Sequence, residues 1–140
     1  MKKMFALLTL IVLLLMMASA TSADTMHRHT VVARLYPVGG SHVTGMVVLK
    51  QLAGSGTFIE VNARNLQPGR QYLSIYYDNN ACQLASDSIP NDVIGHYMAN
   101  RRGRGETEGR VDDNLDQIHS VSVRLNDSPT HPTLLACAYF

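Results

Sequence analysis

Alternation of side-chain type with a period of two residues is the feature that most restricts the fold of this chain. Between residues 57 and 63, the odd positions carry Thr, Ile, Val and Ala, whereas the even positions are Phe58, Glu60 and Asn62. Residues 71–78 and 118–125 alternate in the same way, and residues 30–36, 43–52 and 134–140 are rich in apolar residues. This period is typical of half-buried strands. Glycine- and proline-containing turns separate the segments, and regularly spaced strands of this kind predict a β-sandwich or a β-barrel.

The remaining segments contribute less to a core. Residues 93–98 are predicted to form a short strand, and residues 79–92 form a long polar connection. Residues 101–109 contain Gly, Arg, Glu and Thr but no large apolar residue, so they are predicted to form a solvated loop. No segment after residue 23 has a sustained period of 3.6, which predicts little or no helix.

The first 23 residues have the organisation of a secretory signal peptide. Lys2 and Lys3 precede an apolar run from Phe5 to Met17, and residues 18–23 are all small. This order is typical of a cleavable signal, and the run is shorter than the roughly 20 apolar residues that a membrane span needs. Cleavage after Ala23 is preferred, and cleavage after Ala20 and an uncleaved membrane anchor are the alternatives. The prediction is therefore an extracytoplasmic protein, periplasmic or secreted, with no stable membrane span after cleavage.

Cleavage leaves a flexible N-terminal segment, residues 24–29, and one domain, residues 30–140. Cys82 and Cys137 are the only cysteines, and an exported pair is usually oxidised. On the chain-entropy model, closing a loop of about 55 residues stabilises the fold by roughly 4 kcal/mol. Two free thiols or an intermolecular bridge are the alternatives. A formal net charge of +1 provides no large electrostatic footprint for nucleic acid.

Three short segments carry motifs of a known family. The turn at residues 65–69, Asn-Leu-Gln-Pro-Gly, resembles the Gly-Leu-x-x-Gly turn that precedes the ligand strand of the copper-zinc superoxide dismutase family. The segment around Cys82 is similar to its Gly-Cys-x-Ser-Ala loop, and residues 135–138 are similar to its C-terminal Leu-Ala-Cys-Gly. The resemblance extends over residues 30–140. It implies an all-β fold with one disulfide, a Greek-key β-barrel or sandwich of the immunoglobulin-like, superoxide dismutase-like kind.

The metal ligands of that family have no counterpart here. Counting from Gly69, the two positions of the His-x-His pair are Ser74 and Tyr76, and a later copper ligand falls at about Arg124. Superoxide dismutation at copper needs several imidazoles in a fixed set. Superoxide dismutase activity is therefore not expected, and no catalytic residue is assigned. No cofactor is expected, and fold alone does not give function.

A different copper or zinc site is the alternative hypothesis. His27 and His29 share one side of an extended segment, and His96 lies within the interval where the family keeps its remaining ligands. These three residues are weak metal candidates, because solvated termini and ordinary surface histidines are the more common outcome.

Two groups of residues form a candidate binding surface for a protein or another surface partner. Tyr72, Ser74 and Tyr76 form a polar, aromatic strand face, and tyrosine combines apolar area with a hydroxyl group. A basic loop carries Arg101, Arg102 and Arg104, which suit an anionic surface or partner. The sequence thus favours an exported, non-catalytic dismutase-like barrel that acts as a binding or structural module. A divergent metal protein and an unrelated immunoglobulin-like sandwich are the other hypotheses, and the oligomeric state is left open.

Overall fold

Eight antiparallel strands form the domain in a computed structural model, which describes residues 29–84 and 92–140. A single 3-10 turn, Leu115–Gln117, precedes the seventh strand, and no α-helix occurs in the described part of the chain. The strands are β1 (Thr30–Pro37), β2 (Thr44–Gln51), β3 (Thr57–Arg64), β4 (Gln71–Tyr77), β5 (Val93–Met98), β6 (Gly105–Val111), β7 (Ser120–Leu125) and β8 (Thr133–Tyr139).

The strands follow the order β5-β4-β7-β8-β1-β2-β3-β6 in one sheet. Hairpins join β1 to β2, β2 to β3, β4 to β5 and β7 to β8, whereas the connections from β3 to β4 and from β6 to β7 cross an end of the sheet. The sheet curls until β5 and β6, its two outer strands, lie beside each other without forming a hydrogen-bonded ladder. The fold is therefore an all-β barrel, one of the two forms that the alternation predicted; its Greek-key connections are those that the resemblance implied, and the barrel is nearly closed.

Strand β6 corrects the prediction of a solvated loop over residues 101–109. Its inward positions are Gly105, Thr107, Gly109 and Val111, and the first three are small because β5 packs directly against them. A Cβ atom on Gly105 would lie 2.6 Å from the ring of Tyr97, and one on Gly109 would lie 2.8 Å from the carbonyl oxygen of Ile94. Up to residue 109, the core face of this strand thus lacks the large apolar residues by which strands are recognised in a sequence.

The barrel interior is apolar and closely packed. The odd positions of β3 point inward, as the alternation predicted, together with Val47, Leu49, Val121 and Val123. Strand β4 is buried on both faces from Tyr72 to Tyr77. Its even positions join the main core, and its odd positions join a second cluster outside the barrel wall.

The second cluster surrounds the disulfide Cys82–Cys137. Leu73, Ile75 and Tyr77 pack there beneath the segment that follows β4. The bridge joins this segment to β8 with a Cα–Cα distance of 6.1 Å. The predicted intramolecular pairing is confirmed.

The predicted signal peptide at residues 1–23 lies outside the described residues. So does the segment 24–28, whereas His29 accepts a hydrogen bond at its backbone oxygen from Gln51 N at 3.0 Å. No helix in the described ranges is long and apolar enough to cross a bilayer.

Candidate functional site

The positions assigned to the metal ligands of the dismutases do not share one site. Ser74 and Tyr76 point into the barrel, where Ser74 is fully buried. Arg124 lies directly opposite Leu73 on the neighbouring strand, and paired residues project from the same face of a sheet. Its side chain is therefore on the outer face of the wall, with Tyr77 and the disulfide. The wall of the barrel separates Ser74 and Tyr76 from Arg124.

The guanidinium of Arg124 is buried and fixed by three neutral acceptors. Its Nε donates to the hydroxyl of Tyr77 at 2.9 Å, its Nη1 to the carbonyl oxygen of Pro132 at 2.8 Å, and its Nη2 to the carbonyl oxygen of Cys82 at 2.6 Å. The side chain is 7% exposed and stacks over the Tyr77 ring at 5.9 Å. No carboxylate from the described ranges forms an ion pair with it. The buried positive charge is thus stabilised by dipoles and by the aromatic ring.

Strand β7 holds the segment after β4 through its outward side chains. The hydroxyl of Ser120 donates to the carbonyl oxygen of Asn79 at 2.5 Å and accepts from the backbone N–H of Cys82 at 3.3 Å. The hydroxyls of Ser122 and Tyr77 are 2.8 Å apart. Together with Arg124 and the disulfide, these contacts anchor residues 79–84 to the barrel wall. Their role is structural.

Tyr72 and Ser74 form an interior polar cluster with Tyr97. The rings of Tyr72 and Tyr97 stack with centroids 6.1 Å apart, and the hydroxyls of Ser74 and Tyr97 are 3.2 Å apart. Tyr72 Oη also accepts a hydrogen bond from the N–H of Gln67 at 2.8 Å. Burial raises the pKa of Tyr97 to about 12, although the Ser74 hydrogen bond opposes the shift. Tyr72 and Ser74 are enclosed, so this strand face does not present their side chains to a partner.

Tyr76 lies at the opposite end of the same strand. Burial raises the pKa of its hydroxyl, and the carboxylates of Asp113 and Asp92 raise that pKa further. The connections at this end also carry Asp78, Asp112 and, in the 3-10 turn, Asp116. This end of the barrel is therefore acidic.

Two of the three histidine candidates, His29 and His96, lie among the described residues. His27 lies outside the described residues, His29 is exposed beside the start of β1, and His96 is exposed on β5. Within residues 29–84 and 92–140, no group of three His, Cys, Asp or Glu side chains is placed to hold a metal ion. His29 and His96 are thus part of no such group, and the prediction for His27 falls outside the described residues.

The basic loop is a well-defined turn between β5 and β6. The side-chain oxygen of Asn100 accepts hydrogen bonds from the N–H groups of Arg102 and Arg104, at 2.9 and 3.1 Å. Gly103 adopts a φ of +68°, and its carbonyl oxygen accepts a hydrogen bond from Leu66 N at 3.0 Å. The turn therefore presents three exposed arginines, Arg101, Arg102 and Arg104, on a fixed backbone.

Two more arginines lie at this end of the barrel. Arg64 ends β3, and Arg70 precedes β4; both are exposed. The acidic end is one strand length away, about 25 Å for eight residues at roughly 3.3 Å each. This distance exceeds the Debye length of about 8 Å at physiological ionic strength. The two ends therefore act as electrostatically separate surfaces although the net charge is near zero.

A groove of about 1020 Å³ runs from this basic end onto the outer face of β1, β2 and β3. We call it the arginine groove, because Arg34, Arg64 and Arg104 line it together. Arg34 and Arg64 were not singled out from the sequence, since they belong to different strands and only strand register brings them beside the basic turn.

Comparison with protein-family models finds no match. Comparison with curated proteins also finds none.

The chemistry available at the arginine groove is recognition of anions. Guanidinium groups form paired hydrogen bonds with carboxylates and phosphates and do not lose their proton. The groove is thus the strongest candidate functional site among the described residues.

Proposed function

We propose that this protein is an exported, non-catalytic barrel resembling the superoxide dismutases, which acts outside the cytoplasm as a binding module. The observation that carries the proposal is the basic end of the barrel. Exposed arginines are gathered there from a turn held by hydrogen bonds to the Asn100 side chain and from the end of β3. A turn with a fixed backbone favours recognition of a partner, because the backbone that carries the arginines needs no further ordering when it binds.

The environment of Arg124 supports the absence of dismutase chemistry. A permanently charged guanidinium occupies the outer face of β7, held between Tyr77, Cys82 and Pro132. A copper ion placed beside it would meet an uncompensated positive charge in a poorly solvated site. Neutral imidazoles, which bind copper well, are absent from these contacts.

The disulfide supports export. Cys82–Cys137 joins the segment after β4 to the last strand, and such bridges persist in oxidising compartments. The signal-peptide pattern of residues 1–23 leads to the same location.

The metal content of the mature protein tests the proposal. The protein is exported to an oxidising compartment, purified, and analysed for copper and zinc before and after incubation with both ions followed by dialysis. We expect far less than one metal ion per chain in each case, and superoxide consumption no faster than in buffer. About one tightly held copper ion per chain together with superoxide consumption would overturn the proposal and favour a divergent enzyme.

A further inference from the structure

The arginine groove crosses the strands rather than following one of them. Arg34, Met46, Asn62 and Glu106 lie in one row across β1, β2, β3 and β6 by direct strand pairing. Neighbouring strands are about 4.8 Å apart, so the row spans roughly 14 Å, the reach of four or five extended residues. The groove thus has the length to hold a short extended segment.

Among the charged side chains that line the groove, Glu60 has a partner of opposite charge in the described chain, whereas the three arginines do not. None of the three lining arginines forms an ion pair with another described residue. Glu60, by contrast, accepts a hydrogen bond from Asn62 at 2.8 Å and pairs with Lys50 at 3.9 Å. Glu106 is therefore the one lining carboxylate in the described chain with no such partner. The groove has an excess of positive charge available to a ligand.

Apolar side chains border these cations. Tyr36 is 57% exposed, Met46 48% and Met98 59%, and all three line the groove. Met adapts its shape to a partner, and Tyr is enriched in protein interfaces. The lining therefore complements a ligand that carries both negative charge and apolar side chains.

We propose that the arginine groove binds an extended acidic segment of a partner polypeptide. The inference rests on the proposed binding function and names the chemistry of the partner. Carboxylates of the segment pair with Arg34, Arg64 and Arg104, and its apolar side chains contact Met46 and Met98. Each guanidinium can bind a carboxylate through two N–H groups.

Glu106 favours a polypeptide over a lipid surface or a uniform polyanion. A layer of phosphates would place negative charge against Glu106 as well as against the arginines. A polypeptide can place a neutral residue at that position and carboxylates elsewhere. Recognition must also proceed through side chains, because the backbone groups of β2 and β3 are used in ladders on both sides.

The test uses the mature, oxidised protein and a fluorescein-labelled peptide of repeated Glu-Leu-Ser units, with binding followed by fluorescence anisotropy. A peptide of the same length with Gln in place of Glu serves as the uncharged comparison. The variants are Arg64→Glu, Arg104→Glu and, as a matched control, Arg110→Glu. Arg110 is an exposed arginine on β6 that lies opposite Phe58, away from the groove.

We expect the acidic peptide to bind and the Gln peptide not to bind. Arg64→Glu and Arg104→Glu should each weaken binding by about tenfold, the loss expected for a charge-assisted contact. Arg110→Glu should weaken it by less than about twofold, and Glu106→Gln should strengthen it. Circular dichroism and unfolding midpoints confirm that each variant is folded.

Equal losses from Arg110→Glu and Arg64→Glu would overturn the proposal, because binding would then follow net charge alone. Absence of acidic-peptide binding would also overturn it, as would stronger binding to phosphatidylglycerol vesicles than to the peptide. Copper and zinc content is measured on the same samples. If the protein is metal-free and does not bind the peptide, only this inference is contradicted. If it holds about one copper ion per chain and consumes superoxide, the proposed function is contradicted.

Discussion

Arg124 Nη2 donates a 2.6 Å hydrogen bond to the carbonyl oxygen of Cys82. A side chain of β7 thereby holds the same residue that the disulfide ties to β8. Covalent and electrostatic restraints thus act together on one short segment outside the barrel.

Replacing Arg124 with methionine should destabilise the protein by about 3 kcal/mol. The change leaves the carbonyl oxygens of Cys82 and Pro132 without their donor, and buried unsatisfied groups are costly. Urea unfolding followed by circular dichroism measures the loss. Arg110→Met, at an exposed site, is the control and should change the free energy of unfolding by less than about 0.5 kcal/mol. Equal effects would show that the buried hydrogen bonds of Arg124 do not contribute.

Removing the disulfide should cost about 4 kcal/mol on the chain-entropy model, because the bridge closes a loop with a sequence separation of 55. The double variant Cys82→Ser, Cys137→Ser is compared with the parent protein, each with and without a reducing agent, in urea unfolding experiments. Reduction should destabilise only the parent. A parent that is unaffected by complete reduction would contradict the prediction.

The protein should lose stability between about pH 10 and pH 12. Burial raises the pKa of Tyr97 from 10.0 to about 12. Tyr97 therefore stays protonated in the folded state after it has ionised in the unfolded state, so its contribution is complete below pH 10 and is lost as the pH rises through 12. Tyr97→Phe should flatten the dependence of unfolding free energy on pH in this range.

The contact between β5 and β6 should respond to the size of one residue. A Cβ atom on Gly95 would lie 2.2 Å from Thr107 Oγ1, so Gly95→Ala should cost about 2 kcal/mol, as overpacking does. Adding Thr107→Ala removes that atom and leaves the Thr107 Cβ at 3.5 Å. The double variant should therefore recover most of the loss in a double-mutant cycle.

Gly109→Ala is the comparison for this pair. Its Cβ would lie 2.8 Å from the backbone oxygen of Ile94, an atom that no side-chain substitution removes. Thr107→Ala should therefore not rescue Gly109→Ala. Rescue of both glycine variants to the same degree would indicate that Thr107→Ala loosens the whole contact between β5 and β6 rather than relieving one clash.

Seven of the eight strands could be predicted from the sequence, because their segments either alternate in side-chain type or are rich in apolar residues. Strand β6 could not, since its inward side is Gly, Thr and Gly before Val111 at its end, and the residues that pack on it belong to another strand. The remaining signal was its outward series of Glu106, Glu108 and Arg110, which also alternates. The disulfide could be predicted because two cysteines allow only one intramolecular pair.

The candidate site was predicted only in part. Arg104 was recognised because charged residues cluster around it in the sequence, whereas Arg34 and Arg64 are single arginines in separate strands. The alternation in β4 identified two faces but not which one is interior, because both are buried. The sequence therefore predicts Tyr72 and Ser74 on a face that a partner could reach. In the structure their face is the barrel interior, and the segment after β4 covers the opposite, outer face.

An open sheet leaves two outer strands whose unpaired N–H and C=O groups can recruit strands from other chains. Here the outer strands are β5 and β6, and each lies against the other because Gly95, Gly105 and Gly109 permit the close approach. Glycine weakens a strand locally, but at these positions it lets β5 and β6 cover each other's edges and so prevents edge-to-edge aggregation. A larger residue at any of these three positions would separate β5 from β6 and expose the edges of both strands. Solubility at high concentration therefore depends on glycine at all three positions.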